Sequence, residues 1–447
     1  MNQKKILGQR FAVCTLGCKV NQEEGVALAN VFREHGWTAV DFNEEADVYI
    51  INSCTVTHLA DRKSRQMLRR AVRRNPQALV VATGCYAQVG QETIARIPGV
   101  DLIVGTNDRH RLFEEVRRLC GKQDPPRVCV TPAAEAGIFH HMGNLNHDTQ
   151  RARAYIKIED GCSQFCSYCV IPYARGPVRS RPLADILNEG REMVEKGYQE
   201  LVLTGIHTGA YGSDLANGLN LAKAAAALAE IPGLHRLRLG SIEPQEVTEE
   251  LLAVMASHDN ICPHLHIPLQ ACDDEIIAAM NRRYTVAEYG ALLVKIRQCL
   301  NNPAVTTDLI VGFPGETPEI FQAGLRRLAT FCFADMHIFP YSRREGTPAA
   351  SFPNQIDARV KNAEVKEVSA LRDEMKQAFR RRQLGRKLEI LTEQKILLDG
   401  QPYWTGHSPN YLPLAFEAAE CPRADAGQLY QLKITEMKGS YLIGKVI

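Results

Sequence analysis

Two successive series of alternating strand-like and helix-like runs constrain this chain more than any other feature. In the first 120 residues, β-rich runs at Phe11–Thr15, Val48–Ser53, Leu79–Thr83 and Leu102–Val104 alternate with helical patterns near Glu23–His35, His58–Arg74, Gln88–Ile97 and Asp108–Leu119. Alternation at this spacing predicts an open parallel sheet with covering helices. Gly121, Pro125, Pro126, Pro132, Gly137 and Gly143 then break the rhythm, and residues 122–150 read as a linker with room for one short strand at Arg127–Thr131.

The second series predicts strands at Ala154–Ile158, Glu200–Leu203, Arg236–Leu239, His264–Ile267, Val305–Val311 and Met336–Phe339, with helices filling the gaps. Six β/α units fall short of the eight of a closed TIM barrel, so a partial (β/α)6 barrel is expected. A charged helix over Asp357–Gln383 closes this region. Short β-like runs at Leu388–Thr392, Lys395–Leu398, Leu412–Phe416, Leu429–Met437 and Tyr441–Val446 then predict a small all-β barrel. The expected class is α/β, with an N-terminal sheet domain over 9–121, a linker over 122–150, a central domain over 151–380 and a C-terminal β-barrel over 381–447.

Composition excludes several classes. At 447 residues, 45% hydrophobic and 23% charged, the chain is neither disordered nor fibrous and is long enough for more than one domain. No apolar run reaches the roughly 18 residues of a membrane span. The opening residues hold a basic pair but no apolar stretch fit for a secretory signal. A cytoplasmic location is therefore expected. In a reducing compartment the fourteen cysteines cannot be a disulfide framework. Cys299 and Cys332 sit in apolar company and read as core thiols.

The sharpest chemical signal is Asp160-Gly161-Cys162-Ser163-Gln164-Phe165-Cys166-Ser167-Tyr168-Cys169, three thiols within eight positions after a predicted strand. A zinc knuckle is one reading, but structural zinc is nearly always four-coordinate and no fourth Cys or His follows at knuckle spacing. Three thiolates on an iron–sulfur cube leave one iron open to a ligand from outside the protein.

The Cys-x3-Cys-x2-Cys spacing, with an aromatic residue before the last Cys, resembles the radical S-adenosylmethionine (SAM) enzymes. That resemblance implies that Cys162, Cys166 and Cys169 hold a catalytic [4Fe–4S] cluster whose open iron binds SAM. It also implies cofactor contacts from Tyr168 and from Gly205, Ser241, Glu243 and Gly312, which follow the second, third and fifth strands of the series. Strand carboxyl ends are where barrel active sites are built.

Cys18, Cys54 and Cys85 each follow one of the first three strands, whose carboxyl ends share one edge of a parallel sheet. Their motifs, Thr15-Leu16-Gly17-Cys18-Lys19-Val20-Asn21, Asn52-Ser53-Cys54-Thr55-Val56-Thr57 and Thr83-Gly84-Cys85-Tyr86, resemble the N-terminal part of the methylthiotransferases. By that resemblance these thiols hold a second [4Fe–4S] cluster. Cys14, inside a strand, reads as a packed thiol. Domain order and the run Ile171-Pro172-Tyr173-Ala174-Arg175-Gly176 resemble the threonylcarbamoyladenosine tRNA methylthiotransferases. The resemblance implies methylthio transfer to C2 of that adenosine beside the anticodon, with tRNA, an electron donor such as flavodoxin or ferredoxin, and a sulfur source as partners.

Three basic runs, at 61–74, 175–181 and 380–387, suggest a polyanion track, and Arg175, Arg179 or Arg181 would suit a substrate carboxylate. The family pattern Pro-Leu-Gln-Ser-Gly-Ser is replaced by Pro268-Leu269-Gln270-Ala271-Cys272-Asp273, which is expected to alter local substrate contacts. Other readings stay open on sequence alone: isopentenyladenosine in tRNA as substrate, an aspartate of a ribosomal protein, or a non-catalytic zinc-containing RNA-binding protein.

Overall fold

The computed structural model describes residues 9–119, 121–142 and 152–447. The end of the expected linker and the first eight residues lie outside the described residues. The chain forms two compact units. The first gathers the N-terminal region with Glu159–Ser180 and Ser342–Ala350, and the second gathers Arg181–Tyr341, Ser351–Ile447 and the segment ending at Ile158.

The first unit is built on a parallel sheet of β1 (Arg10–Thr15), β2 (Thr38–Ala39), β3 (Val48–Ser53), β4 (Leu79–Gly84), β5 (Leu102–Val104) and β6 (Arg127–Cys129), in the order β2-β1-β3-β4-β5-β6. The short strand expected near Arg127 is thus its outermost member. Val48, Tyr49, Ile50 and Ile51 of β3 are fully buried, the mark of a central parallel strand covered on both faces. Helices α1 (Lys19–Glu34), α2 (His58–Arg74) and α3 (Cys85–Val89) follow β1, β3 and β4. One core centres on Tyr49, Leu68 and Ile94, the other on Phe11, Phe32 and Phe113. Thr57 caps α2 by accepting from the Ala60 N–H, so the helix begins where the sequence pattern placed it.

The second unit holds β7 (Arg153–Lys157), while β8 (Glu159–Asp160) and β9 (Arg179–Ser180) form a two-stranded antiparallel piece of the first. Returning to the second unit, β10 (Glu200–Thr204) pairs in parallel with β7 on one side and β11 (Arg236–Arg238) on the other. A further parallel sheet holds β12 (His264–His266), β13 (Ala304–Val311) and β14 (Asp335–Pro340). Parallel bridges Leu237↔Ile261 and Ser241↔His266 join the two sheets, so six parallel strands run in chain order. Helices at Leu183–Glu195, Leu221–Ala229, Glu249–Ser257, Asp274–Ala279, Val286–Cys299 and Pro318–Thr330 alternate with them as expected.

The final strands, β15 (Lys387–Leu398), β16 (Gln401–His407), β17 (Pro413–Glu417), β18 (Leu429–Lys438) and β19 (Tyr441–Val446), close into a barrel ordered β15-β16-β17-β19-β18. Two corrections arise here. The runs at 388–392 and 395–398 are one strand, interrupted only by a register shift between Thr392 and Gln394. The sequence reading also missed β16, although Asp399 and Gly400, both with positive φ, make the tight hairpin that requires it.

The second unit contains a buried ionic network. Glu200, fully buried on β10, is register partner to Arg153 and Arg236 on either side. It accepts from Arg238 at 2.7 Å and lies 3.2 Å from Arg153 and 3.4 Å from Arg236. Despite burial, these guanidinia hold its carboxyl down at about 2. The same arginines reach the C-terminal barrel through its backbone: Arg236 donates to the His407 carbonyl at 3.0 Å, and Arg238 to those of Pro409 and Ser408 at 2.8 and 3.3 Å.

Cys299 and Cys332 correct the expectation of core thiols, for both are exposed. The buried face of the Val286–Cys299 helix runs through Tyr289, Leu293 and Ile296 to Leu300. Cys299 falls beside that stripe, and Cys332 sits in a left-handed turn after the next helix.

Candidate functional site

In the first unit, parallel pairing brings three cysteines to one sheet edge. Ser53 and Gly84 are register partners, so Cys54 and Cys85, next along their strands, leave the sheet side by side. Cys18 is the N-cap of α1, three residues beyond β1, which flanks β3 on its other side. Asn21 holds these ends together: its side-chain amide donates to the carbonyls of Leu16 at 2.6 Å and Ser53 at 3.0 Å, while Asn52 donates back to the Asn21 carbonyl at 2.7 Å. This accounts for the asparagines in both motifs.

The edge also requires glycine. A Cβ at Gly17, whose φ is +101°, would lie 2.7 Å from both Cβ and Sγ of Cys54. At Gly84, with φ of +91°, it would meet the Ser53 backbone N at 2.7 Å. Only side-chain-free residues leave room beside these thiols. Burial pushes the Cys54 thiol up to about 11, with a Val56 backbone N–H opposing and the Cys85 and Cys18 thiols adding. Burial likewise raises Cys18, where Arg175 opposes and Cys85 adds. Three mutually interacting soft ligands fit a cation-rich cluster, which deprotonates its thiol ligands on binding. Cys14 lies opposite Ile51 inside the sheet, before the strand end.

The Cys162–Cys169 loop belongs to the same unit. The Cys162 N–H donates to the Gly176 carbonyl at 2.9 Å, closing the loop on itself, and Cys169 turns back onto the Cys166 carbonyl at 2.9 Å. A Cβ at Gly161 would strike the Pro177 carbonyl, so the residue before the first thiol must be glycine. The Ile171 N–H donates to the Cys169 Sγ at 3.5 Å. Tyr168, the expected cofactor contact, lies on this loop, and Phe165 is half-exposed with its ring edge-on to Tyr173 at 5.7 Å.

The arginines after this loop overturn an expectation. Arg175, Arg179 and Arg181 are buried, with 0, 5 and 5% exposure, and none is available to a substrate carboxylate or phosphate. Arg175 donates to Glu24 at 2.6 and 2.9 Å, to Asp160 at 3.2 Å and to the Cys85 Sγ at 3.3 Å. Arg179 donates to the Arg175 and Pro177 carbonyls at 2.8 and 2.9 Å, and Arg181 pairs with Glu189. A run of arginines in sequence is here a set of buried counterions. By contrast, α2 presents Arg62, Lys63, Arg69, Arg70, Arg73 and Arg74 on its exposed face, and Arg381, Arg382, Arg386 and Lys387 are also exposed.

The remaining candidates lie in the second unit at strand ends. Gly205 follows β10, Ser241 bridges to His266, and Gly312 follows β13, with its N–H donating to Glu316 at 2.6 Å. Burial lifts the Glu316 carboxyl to about 7 despite that bond. Glu243 is held by Arg282, whose second nitrogen donates to it at 3.0 Å. Sequence reasoning missed the His266, Asp308 and His337 triad on β12, β13 and β14. Both imidazoles lie 3.2 Å from one Asp308 oxygen and hold that carboxyl well below its usual range against the opposing effect of burial. The signal was His264-Leu265-His266, alternate residues of a strand on one face. Cys272, where the family pattern has glycine, is buried beside Gly324, and Asp273 caps the following helix. The departure is therefore a packing change.

Residues 156–328 match the radical SAM superfamily, and residues 10–105 match the uncharacterized protein family UPF0004. The chain is 38% identical over 435 residues to threonylcarbamoyladenosine tRNA methylthiotransferase MtaB of Bacillus subtilis (strain 168), which covers 97% of this chain and 95% of that protein. The chain belongs to the radical SAM tRNA methylthiotransferases. Within that family it is also 32% identical over 453 residues to tRNA-2-methylthio-N(6)-dimethylallyladenosine synthase of Clostridium novyi (strain NT), covering 100% and 98% of the two chains. The fold is shared with the radical SAM methyltransferase TsrM of Kitasatospora setae at a TM-score of 0.57, 16% identity and 77% coverage of each chain. Family membership makes SAM and a [4Fe–4S] cluster part of the chemistry and tRNA the substrate class. No helix among the described residues is long and apolar enough to cross a membrane.

Proposed function

We propose that this methylthiotransferase acts on C2 of N6-threonylcarbamoyladenosine beside the anticodon and uses two [4Fe–4S] clusters. The reading is supported by the gathering of Cys18, Cys54 and Cys85 at adjacent strand ends, together with the name of the 38%-identical relative. Cys162, Cys166 and Cys169 hold the cluster that opens SAM, and Cys18, Cys54 and Cys85 hold the second. Such clusters supply electron transfer and a place for sulfur, while the chain positions the base and excludes water. Tyr168, Gly205, Ser241, Glu243 and Gly312 contribute to cofactor binding.

The domain plan that accompanies this reading is a methylthiotransferase domain over 9–121, a linker over 122–150, a radical SAM domain over 151–380 and an RNA-binding barrel over 381–447. The exposed cations of α2 contact tRNA phosphates. A flavodoxin or ferredoxin donates electrons, a separate source supplies sulfur, and the setting is the cytoplasm.

Nucleoside mass spectrometry of tRNA from cells with and without the gene tests the substrate. Loss of the methylthio form of threonylcarbamoyladenosine, restored by the wild-type gene, is the expected result. Loss of methylthio-dimethylallyladenosine instead would move the protein to the other branch of its family.

A further inference from the structure

Beside Cys85 lies a network of buried charges in the first unit. Glu24, 2% exposed, takes Arg109 and Arg175. Asp160 takes Arg175 at 3.2 Å and Arg179 at 3.7 Å. Arg109, Arg175 and Arg179 thus share the carboxylates of Glu24 and Asp160. A buried charge that loses its counterion is strongly destabilising. Arg175 also donates to a sulfur: its Nε lies 3.3 Å from the Cys85 Sγ. The remaining nitrogens are held by Glu24, Asp160 and Asn21, the last at 3.4 Å, so the fork cannot swing away from the sulfur. Arg175 itself has no exposed surface.

We infer that Arg175 is a positioning residue that sets the reduction potential of the cluster held by Cys18, Cys54 and Cys85. This rests on the two-cluster reading above. A cysteine bound to iron is a thiolate. A guanidinium donating to that sulfur favours the reduced, more negative cluster, because hydrogen bonds to the sulfurs and net charge are what set such potentials. Arg175 lies six residues beyond Cys169 in sequence, so the segment carrying the SAM-cluster thiols also furnishes the hydrogen bond to the other cluster's ligand.

The test uses the full-length chain carrying Cys162→Ala, Cys166→Ala and Cys169→Ala, which keeps one cluster, reconstituted anaerobically. Iron and sulfide are counted, and redox titration is followed by electron paramagnetic resonance. Adding Arg175→Gln is expected to shift the oxidised-to-reduced ratio at fixed potential at least tenfold toward oxidised, about 59 mV lower for a one-electron couple. Arg175→Lys, which keeps the charge without the fork, is expected to shift it less. An unchanged ratio in both variants with iron retained overturns the inference and leaves the two-cluster reading intact. Iron lost from both also overturns it, since Arg175 would then assemble the site and not tune it. A parent protein without iron removes the two-cluster reading, and this inference with it.

Discussion

Asp308 and His337 face each other as direct register partners on neighbouring parallel strands, with the imidazole Nδ1 3.2 Å from the carboxylate. His266 reaches the same oxygen from the other side at 3.2 Å, and its Nδ1 is fixed by the Thr306 hydroxyl at 2.9 Å. One ionised carboxylate thus orients two imidazoles on a half-exposed strand face. Asp308→Asn should lower methylthiolation of tRNA at least tenfold while the melting temperature moves by only a few degrees. Turnover within twofold of wild type would show that the triad has no part in the reaction.

Cys14 and Cys18 lie four residues apart but differ in placement: Cys14 is inside β1 and Cys18 is beyond its end. Cys14→Ala should retain the iron content of the wild type. Cys18→Ala should lose roughly one cluster, about half of the iron when both sites are full. Equal losses in the two variants would refute the strand-end assignment.

Glu316 carries a pH-dependent burden. Its folded-state carboxyl titrates at about 7, above the ordinary value of 4.5, chiefly through burial. A raised carboxyl favours the folded state below the unfolded value, and that advantage disappears as pH rises through about 7. Glu316→Gln removes the charge, so it should gain on wild type by about 1–3 kcal/mol between pH 4.5 and 8. Denaturant melts across that range check the sign, and a gap that narrows with rising pH would contradict it.

The exposed cations of α2 should contribute to tRNA binding through phosphates. Replacing Arg62, Lys63, Arg69 and Arg73 with Glu should weaken tRNA binding and flatten its salt dependence, with cluster content unchanged. Each lost phosphate contact should lower the slope of log K against log salt by about 0.7–0.9. Filter binding at several salt concentrations measures both, and an unaltered slope would take this helix out of the interface.

Periodicity and turn residues were enough to read most strands of both alternating series, because a parallel strand followed by its covering helix leaves local marks. What escaped was set by distant partners. Arg175 looks like part of a surface patch until Glu24, some 150 positions upstream, is seen to be buried against it. The His266, Asp308 and His337 triad draws one residue from each of three strands, so no local window contains it. β16 was missed because Pro402 and Gly406 dilute its pattern, although the Asp399-Gly400 hairpin marked its start. Cys18, Cys85 and Cys162 stood out as candidates for the opposite reason: each directly follows a glycine in the chain.

The arginines around Glu200 hold the C-terminal barrel at carbonyl oxygens, those of His407, Ser408, Pro409 and Glu389, and at the carboxylates of Glu389 and Glu393. Carbonyls are the same whatever side chain they accompany. Outward-facing residues of the barrel other than Glu389, Glu393 and Tyr411 can therefore drift without disturbing its seat. Such a joint lets the terminal module change what it shows to solvent while its seat on the same body is kept.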